Sequence, residues 1–174
     1  MNIFTKCFIS IMLLMLSATA SAGSWQYVLS QQGRNAAILA EANNQKGKTF
    51  PYESKAWVQN VVLKVSSAYG TPRQLPQNSS DGWEWTIPPS VTSVMRRYVT
   101  PQQFLPGDIV QMKIHYKDGS YGPHTAIVLS VTSSEITWID ENYTEKNTVG
   151  THKMSFYQFS MLVPSNNYSV YEVW

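Results

Sequence analysis

At 174 residues with a formal net charge of +2, the chain is long enough to bury a core of ordinary size without disulfide staples. Its 13 basic residues face 11 acidic ones and form no run of five or more, which argues against a nucleic-acid or polybasic membrane role. Aromatic residues make up 13% of the chain, a richness that suits a packed β core and equally a groove for sugars or peptides.

Residues 1–22 read as a secretory signal, with Lys6 as a positive lead, Phe8 to Leu16 as the apolar run and Ala20-Ser21-Ala22 as a cleavage site. The run is too short for a comfortable membrane span. A mature chain starting at Gly23 is therefore expected, exported to the periplasm or beyond, with no span after cleavage and one domain over 23–174. Cys7 precedes the apolar run, so it does not sit where a lipid-anchoring cysteine would. Its loss leaves no cysteine, hence no disulfide and no thiolate chemistry. Three scattered histidines make a structural zinc site unexpected, and no cofactor is expected.

In chain order, Trp25 to Gln45 predicts one or two helices, ended by Asn43-Asn44 and Gly47. A turn-prone Gly47 to Pro51 leads into a second helix from Ser54, where Val58, Val61, Val62 and Val65 fall at helical spacing before Gly70. Thr71 to Pro89 reads as a loop around Trp83 and Trp85, which serve either as a lid or as a plug for the core edge. A short helix is expected across Pro88 to Tyr98. The period then changes to two: a half-buried strand over Asp108 to Tyr116, a second over Pro123 to Val131 and a third over Glu135 to Asn142. In the third, Ile136, Trp138, Asp140 and Asn142 are expected on one face. Further strands are expected within Thr148 to Phe159 and Tyr168 to Trp174. Helices followed by antiparallel strands read as α+β, with the sheet packed on the Ser54 helix.

Ser54 reads either as the N-cap of its helix or as a nucleophile, since a helix N-terminus favours a developing anion. His124 opens an otherwise apolar strand, and Asp140 and Asn142 end the next one. The short Ser133-Ser134 connection brings those two back toward His124, so a helix packed on the sheet would complete a nucleophile–base–orienter set. The ordinary alternatives are a buried core histidine and a turn-forming aspartate. His115 faces away in this reading, and His152 reads as mostly structural.

These segments resemble the CHAP family, papain-like peptidoglycan amidases and endopeptidases related to the NlpC/P60 group. The resemblance rests on Lys55-Ala56-Trp57-Val58-Gln59-Asn60-Val61-Val62, Leu105-Pro106-Gly107-Asp108-Ile109-Val110-Gln111-Met112, Pro123-His124-Thr125-Ala126-Ile127-Val128, Ile139-Asp140-Glu141-Asn142 and Val149 to Phe156. It implies a papain-like α+β fold with N-terminal helices on an antiparallel sheet. It also implies amide hydrolysis in cell-wall peptides, with peptidoglycan peptides as the partner. The family's nucleophilic cysteine falls on Ser54, its histidine on His124, and its third residue on Asp140 or Asn142. Trp83, Trp85 and Trp138 are candidates for stacking on sugar or lining the groove.

Some members hold calcium just before the nucleophile, but residues 43–48 carry no carboxylate, so no metal site is expected. Three readings of Ser54 stay open: a replacement made to silence an enzyme, a natural loss that leaves a wall-binding or inhibitory pseudoenzyme, or a working serine nucleophile. A structural domain with Ser54 as a plain N-cap is the remaining alternative.

Overall fold

The computed structural model describes residues 29–51, 53–78, 84–87, 94–116 and 118–173. The expected signal segment, Tyr52 and Trp83 lie outside them. Two helices lead. Helix α1 (Gln31–Gln45) is capped by Ser30, whose side chain accepts the Gly33 N–H. Helix α2 (Ser54–Ala68) ends before Gly70, which takes a φ of +74° as a left-handed stop. The loop between them is tied down by Gly47 N–H donating to the Val149 carbonyl and Phe50 N–H to that of Asn147.

Two short strands, β1 (Gln77–Asn78) and β2 (Trp85–Thr86), pair within the stretch expected to be a loop. Strand β3 (Val94–Arg97) stands where a short helix was expected, although residues 88–93 lie outside the described set. Strands β4 (Ile109–His115), β5 (Tyr121–Val131), β6 (Glu135–Glu141) and β7 (Val149–Ser155) then form a meander. Helix α3 (Phe156–Leu162) follows, and β8 (Tyr168–Val173) closes the fold between β3 and β4. All six strands of the main sheet pair antiparallel, in the order β3-β8-β4-β5-β6-β7. The molecule is α+β.

Strand alternation gives this sheet two apolar faces. Ile109, Ile127, Ile139, Val149 and Tyr171 cluster with Ile38, Trp57, Val58, Val61 and Val62 of the two leading helices. Val110, Met112, Ala126, Val128, Ile136 and Trp138 cluster on the other face with Phe104, Phe159 and Val163. The expectation of a half-buried β4 is thereby corrected. Both of its faces are covered over Ile109 to Met112, while Lys113 is half-buried and His115 exposed; Gln111, placed by the alternation on the polar side, is buried beside Thr125, whose hydroxyl donates to its side-chain oxygen.

The segment Leu105-Pro106-Gly107-Asp108 ties α1 to the sheet. Asp108 Oδ2 accepts the Leu105 N–H at 2.7 Å and pairs with Arg97 Nη1 at 2.5 Å, while Asn35 Nδ2 donates to the Pro106 carbonyl at 2.7 Å. Gly107 takes a φ of +92°, and a Cβ there would stand 2.5 Å from that of Asn35. Only glycine fits this turn.

Candidate active site

Ser54 is the first residue of α2; the N-cap is Glu53, which makes no side-chain capping bond. The N-cap reading of Ser54 is thus corrected. Its hydroxyl instead reaches the sheet, where Oγ accepts the Thr125 N–H at 3.2 Å. Thr125 lies one residue beyond the last β5–β6 pair, Ala126 with Asp140, so its amide stands at the point where the two strands part. The first backbone N–H groups of α2 precede the Trp57-to-Glu53 bond and carry the positive end of the helix dipole next to this hydroxyl.

His124, 2% exposed, sits two residues before Ala126 on the same strand face, which makes Asp140 its diagonal neighbour across the β5–β6 pairing. Its Nε2 lies 3.1 Å from Asp140 Oδ2. The other carboxylate oxygen, Oδ1, lies 3.2 Å from His152 Nε2. Neither approach has the alignment of a full hydrogen bond, whereas Trp138 Nε1 donates to Oδ2 at 2.6 Å. Burial alone would push the Asp140 carboxyl up, but the imidazoles of His124 and His152 more than offset this and hold it below the usual carboxylate range. Tyr116 stands edge-on to His124 at 6.0 Å, and Tyr143 is tilted against it at 5.8 Å. With Nε2 toward Asp140, Nδ1 is the imidazole nitrogen left for proton transfer.

Ser54 and His124 line one cleft of about 450 Å³, together with Glu53, Tyr116, Asp118 and Asn142. No hydrogen bond joins Ser54 to His124 among the described residues. Burial pushes the Tyr116 hydroxyl up to about 12, aided by the negative charges of Asp140, Glu53, Asp118 and Glu141. Lys55 is tied to Asn78 Oδ1 at 2.7 Å and to the Pro76 carbonyl, and burial lowers it to about 8.

Asn142 behaves differently from its expected place. The strand ends at Glu141, and Asn142 turns the chain at a φ of +73° while its Oδ1 accepts the Asn147 N–H at 3.1 Å. It lines the cleft, but the group behind His124 is Asp140. The tryptophans need a plainer correction. Trp85 is buried and stacked on Tyr171 at 4.3 Å, and Trp138 is buried against Phe159 with its N–H on Asp140. Neither offers a free ring to a sugar; Trp83 lies outside the described residues.

Two neighbours were missed from sequence. His152 touches Asp140, and the signal for it was the period-two count along Gly150, His152 and Met154, which share the face of Asp140. Glu141, adjacent to Asp140, is fully buried, and neither carboxylate oxygen has a partner among the described residues. No group of three or more His, Cys, Asp or Glu side chains among the described residues is arranged to hold a metal ion. None of the described helices is long and apolar enough to cross a membrane.

No protein-family model matches the chain, and no curated protein matches it significantly. Among solved structures it is similar to Ly7917 with the hydrolyzing product of MDP, at a TM-score of 0.52 and 15% identity, covering 78% of this chain. A second crystal structure of Ly7917 matches at a TM-score of 0.48 and 17% identity over the same share. The match spans 61% of the Ly7917 chain. At this identity the likeness is one of fold.

Proposed function

We propose that the chain is a papain-like hydrolase of the CHAP type that acts on amide bonds in peptidoglycan peptides, with Ser54 in the nucleophile position. The observation that carries this reading is the placement of Ser54 and His124 on one cleft, with a buried Asp140 behind the imidazole. The fold likeness to Ly7917, a protein solved with the hydrolysis product of MDP (muramyl dipeptide), supports the substrate class. In this mechanism Ser54 Oγ attacks the scissile carbonyl as His124 Nδ1 takes its proton. Asp140 holds the Nε2 side and stabilises the imidazolium. Backbone N–H groups at the start of α2 face the oxyanion as the carbonyl becomes tetrahedral. His124 then returns the proton to the leaving amine, and water cleaves the acyl ester by the same route.

Serine makes this slow. A thiol starts from a pKa of roughly 8.5 and is easily stored as the anion, whereas a hydroxyl must shed its proton during attack. The alternative is a pseudoenzyme that binds wall peptides without cutting them. It is favoured by the Ser54 hydroxyl bonding to the Thr125 amide and not to the imidazole. Digestion of purified peptidoglycan, read by mass spectrometry, separates the two. Ser54→Cys is expected to release peptides at least about tenfold faster than the chain as written, and His124→Ala to abolish release. If neither the chain nor Ser54→Cys cuts, the hydrolase reading fails and muropeptide affinity becomes the measurement.

A further inference from the structure

We propose that His152 is a positioning residue: it stands against the far oxygen of Asp140 and thereby sets how readily His124 takes a proton. This rests on the reading of His124 as the site's base. The geometry behind it is a row across three strands. His124 on β5 and His152 on β7 approach different oxygens of the one carboxylate on β6, at 3.1 and 3.2 Å.

The surroundings fix the second imidazole as well as the first. His152 Nδ1 lies 3.1 Å from Thr144 Oγ1, and Tyr143 meets the ring edge-on at 4.7 Å. Gly150 pairs directly with Asp140 across the β6–β7 register, and a Cβ there would stand 3.4 Å from His152 Nε2. A Cβ at that position would rest in van der Waals contact with the ring. On its outer side His152 borders a shallow pocket of about 250 Å³ with Thr144, Glu145 and Thr151. The aspartate is therefore reached from the cleft side through His124 and from the opposite side through His152.

Two imidazoles that share one carboxylate compete for its charge. A proton on His152 draws on the charge of Asp140 and repels a second proton on His124. In the tautomer whose Nδ1 accepts from Thr144 Oγ1, a neutral His152 turns its Nε2 hydrogen toward Oδ1 and weakens the pull of the carboxylate on His124. Both effects oppose the pull of Asp140 on a proton at His124. The titratable groups that face His152 are Asp140 on β6, His124 beyond it on β5, and Tyr143 and Glu145 in the connecting loop. Lys153, next in the chain, is engaged with Glu135 at 2.7 Å.

The test follows each imidazole by NMR titration of the full chain beside His152→Gln and His152→Leu. The His124 midpoint is expected to rise by about half a pH unit or more in His152→Leu and by less in His152→Gln, which keeps a donor for Oδ1. In the Ser54→Cys background the acid limb of kcat should shift the same way with KM unchanged. A His124 midpoint that stays at its original value in folded His152→Gln and His152→Leu overturns the proposal. So does the same result in His152→Gln alone if the leucine form does not fold. The titration needs no turnover. A chain that cuts nothing while its His124 midpoint moves keeps the coupling and loses the hydrolase reading. A chain that cuts with an unmoved midpoint does the reverse.

Discussion

Asp140 and Glu141 are adjacent, both buried, and opposite in chemistry. Strand alternation sends one to each face of the sheet. Asp140 finds two imidazoles and an indole N–H, while Glu141 finds no hydrogen-bond partner among the described residues. Burial, reinforced by the negative charges of Asp140 and Glu53, pushes the Glu141 carboxyl up to about 7. In the unfolded chain it titrates near the ordinary 4.5. Between those values the fold keeps a proton that the unfolded chain has released. The contribution of Glu141 to stability is therefore full below about pH 4.5 and falls as pH rises to about 7. Asp140 runs the other way: its contribution is full at neutral pH and is lost as pH falls through its lowered folded value. Glu141→Gln should thus stabilise the protein at pH 8 by on the order of 1 kcal/mol and do little at pH 4, as read from urea midpoints. An equal gain at both pH values would rule out the carboxylate's charge as the cause. The contact of His124 with Asp140 was legible because a tight hairpin returns one strand end to the start of its neighbour. For His152 the period-two count gave the shared face, but the contact itself also depends on a β6–β7 register that no turn residue announces.

At the scale of elements, the Leu105-to-Asp108 turn decides how α1 meets the sheet. Gly107→Ala would place a Cβ 2.5 Å from that of Asn35 at a φ of +92°, so backbone strain and a clash fall on one residue. The expected cost is about 2–3 kcal/mol in urea unfolding at 25 °C, against under about 1 kcal/mol for Gly119→Ala, where the φ is +83° but no atom lies within 4 Å. Similar costs at the two glycines would mean that the Asn35 contact contributes nothing. This turn was visible in the sequence as a motif, though its job in bracing α1 was not. The strand range expected within Thr148 to Phe159 ran over the first turn of helix α3, which was not anticipated although its start carries a legible signal. Ser155 and Gln158 form a reciprocal capping box, the pattern of a helix N-terminus, and the alternation running up to Ser155 masked it. Strand β3 was missed for a different reason. Among the described residues it pairs only with β8, more than seventy residues later, and no local pattern encodes such a partner.

Across the whole molecule, the cleft forms where the two faces of one sheet meet at the start of β5. The nucleophile position arrives with α2, which packs on one face, while His124 and Asp140 belong to the other. The order of helices and then antiparallel strands made the architecture readable; the burial of both faces did not follow from it, because the covering comes from a seven-residue helix and Phe104. Since the sheet separates the two cores, they should act as independent contributors to one cooperative fold. Ile38→Val trims the core under the leading helices and Ile136→Val trims the one under α3; both residues are fully buried. Each substitution is expected to cost about 1 kcal/mol, and the double variant to lose the sum of the two within about 0.5 kcal/mol. Urea unfolding followed by both tryptophan fluorescence and far-ultraviolet circular dichroism should give a single coincident transition in all three variants. A double variant that loses far more than the sum would show that the cores communicate through the sheet, and hence that the two halves of the cleft are set together. Transitions that separate between the two probes would mean that each face unfolds as its own unit. The shared cleft would then depend on the weaker of the two.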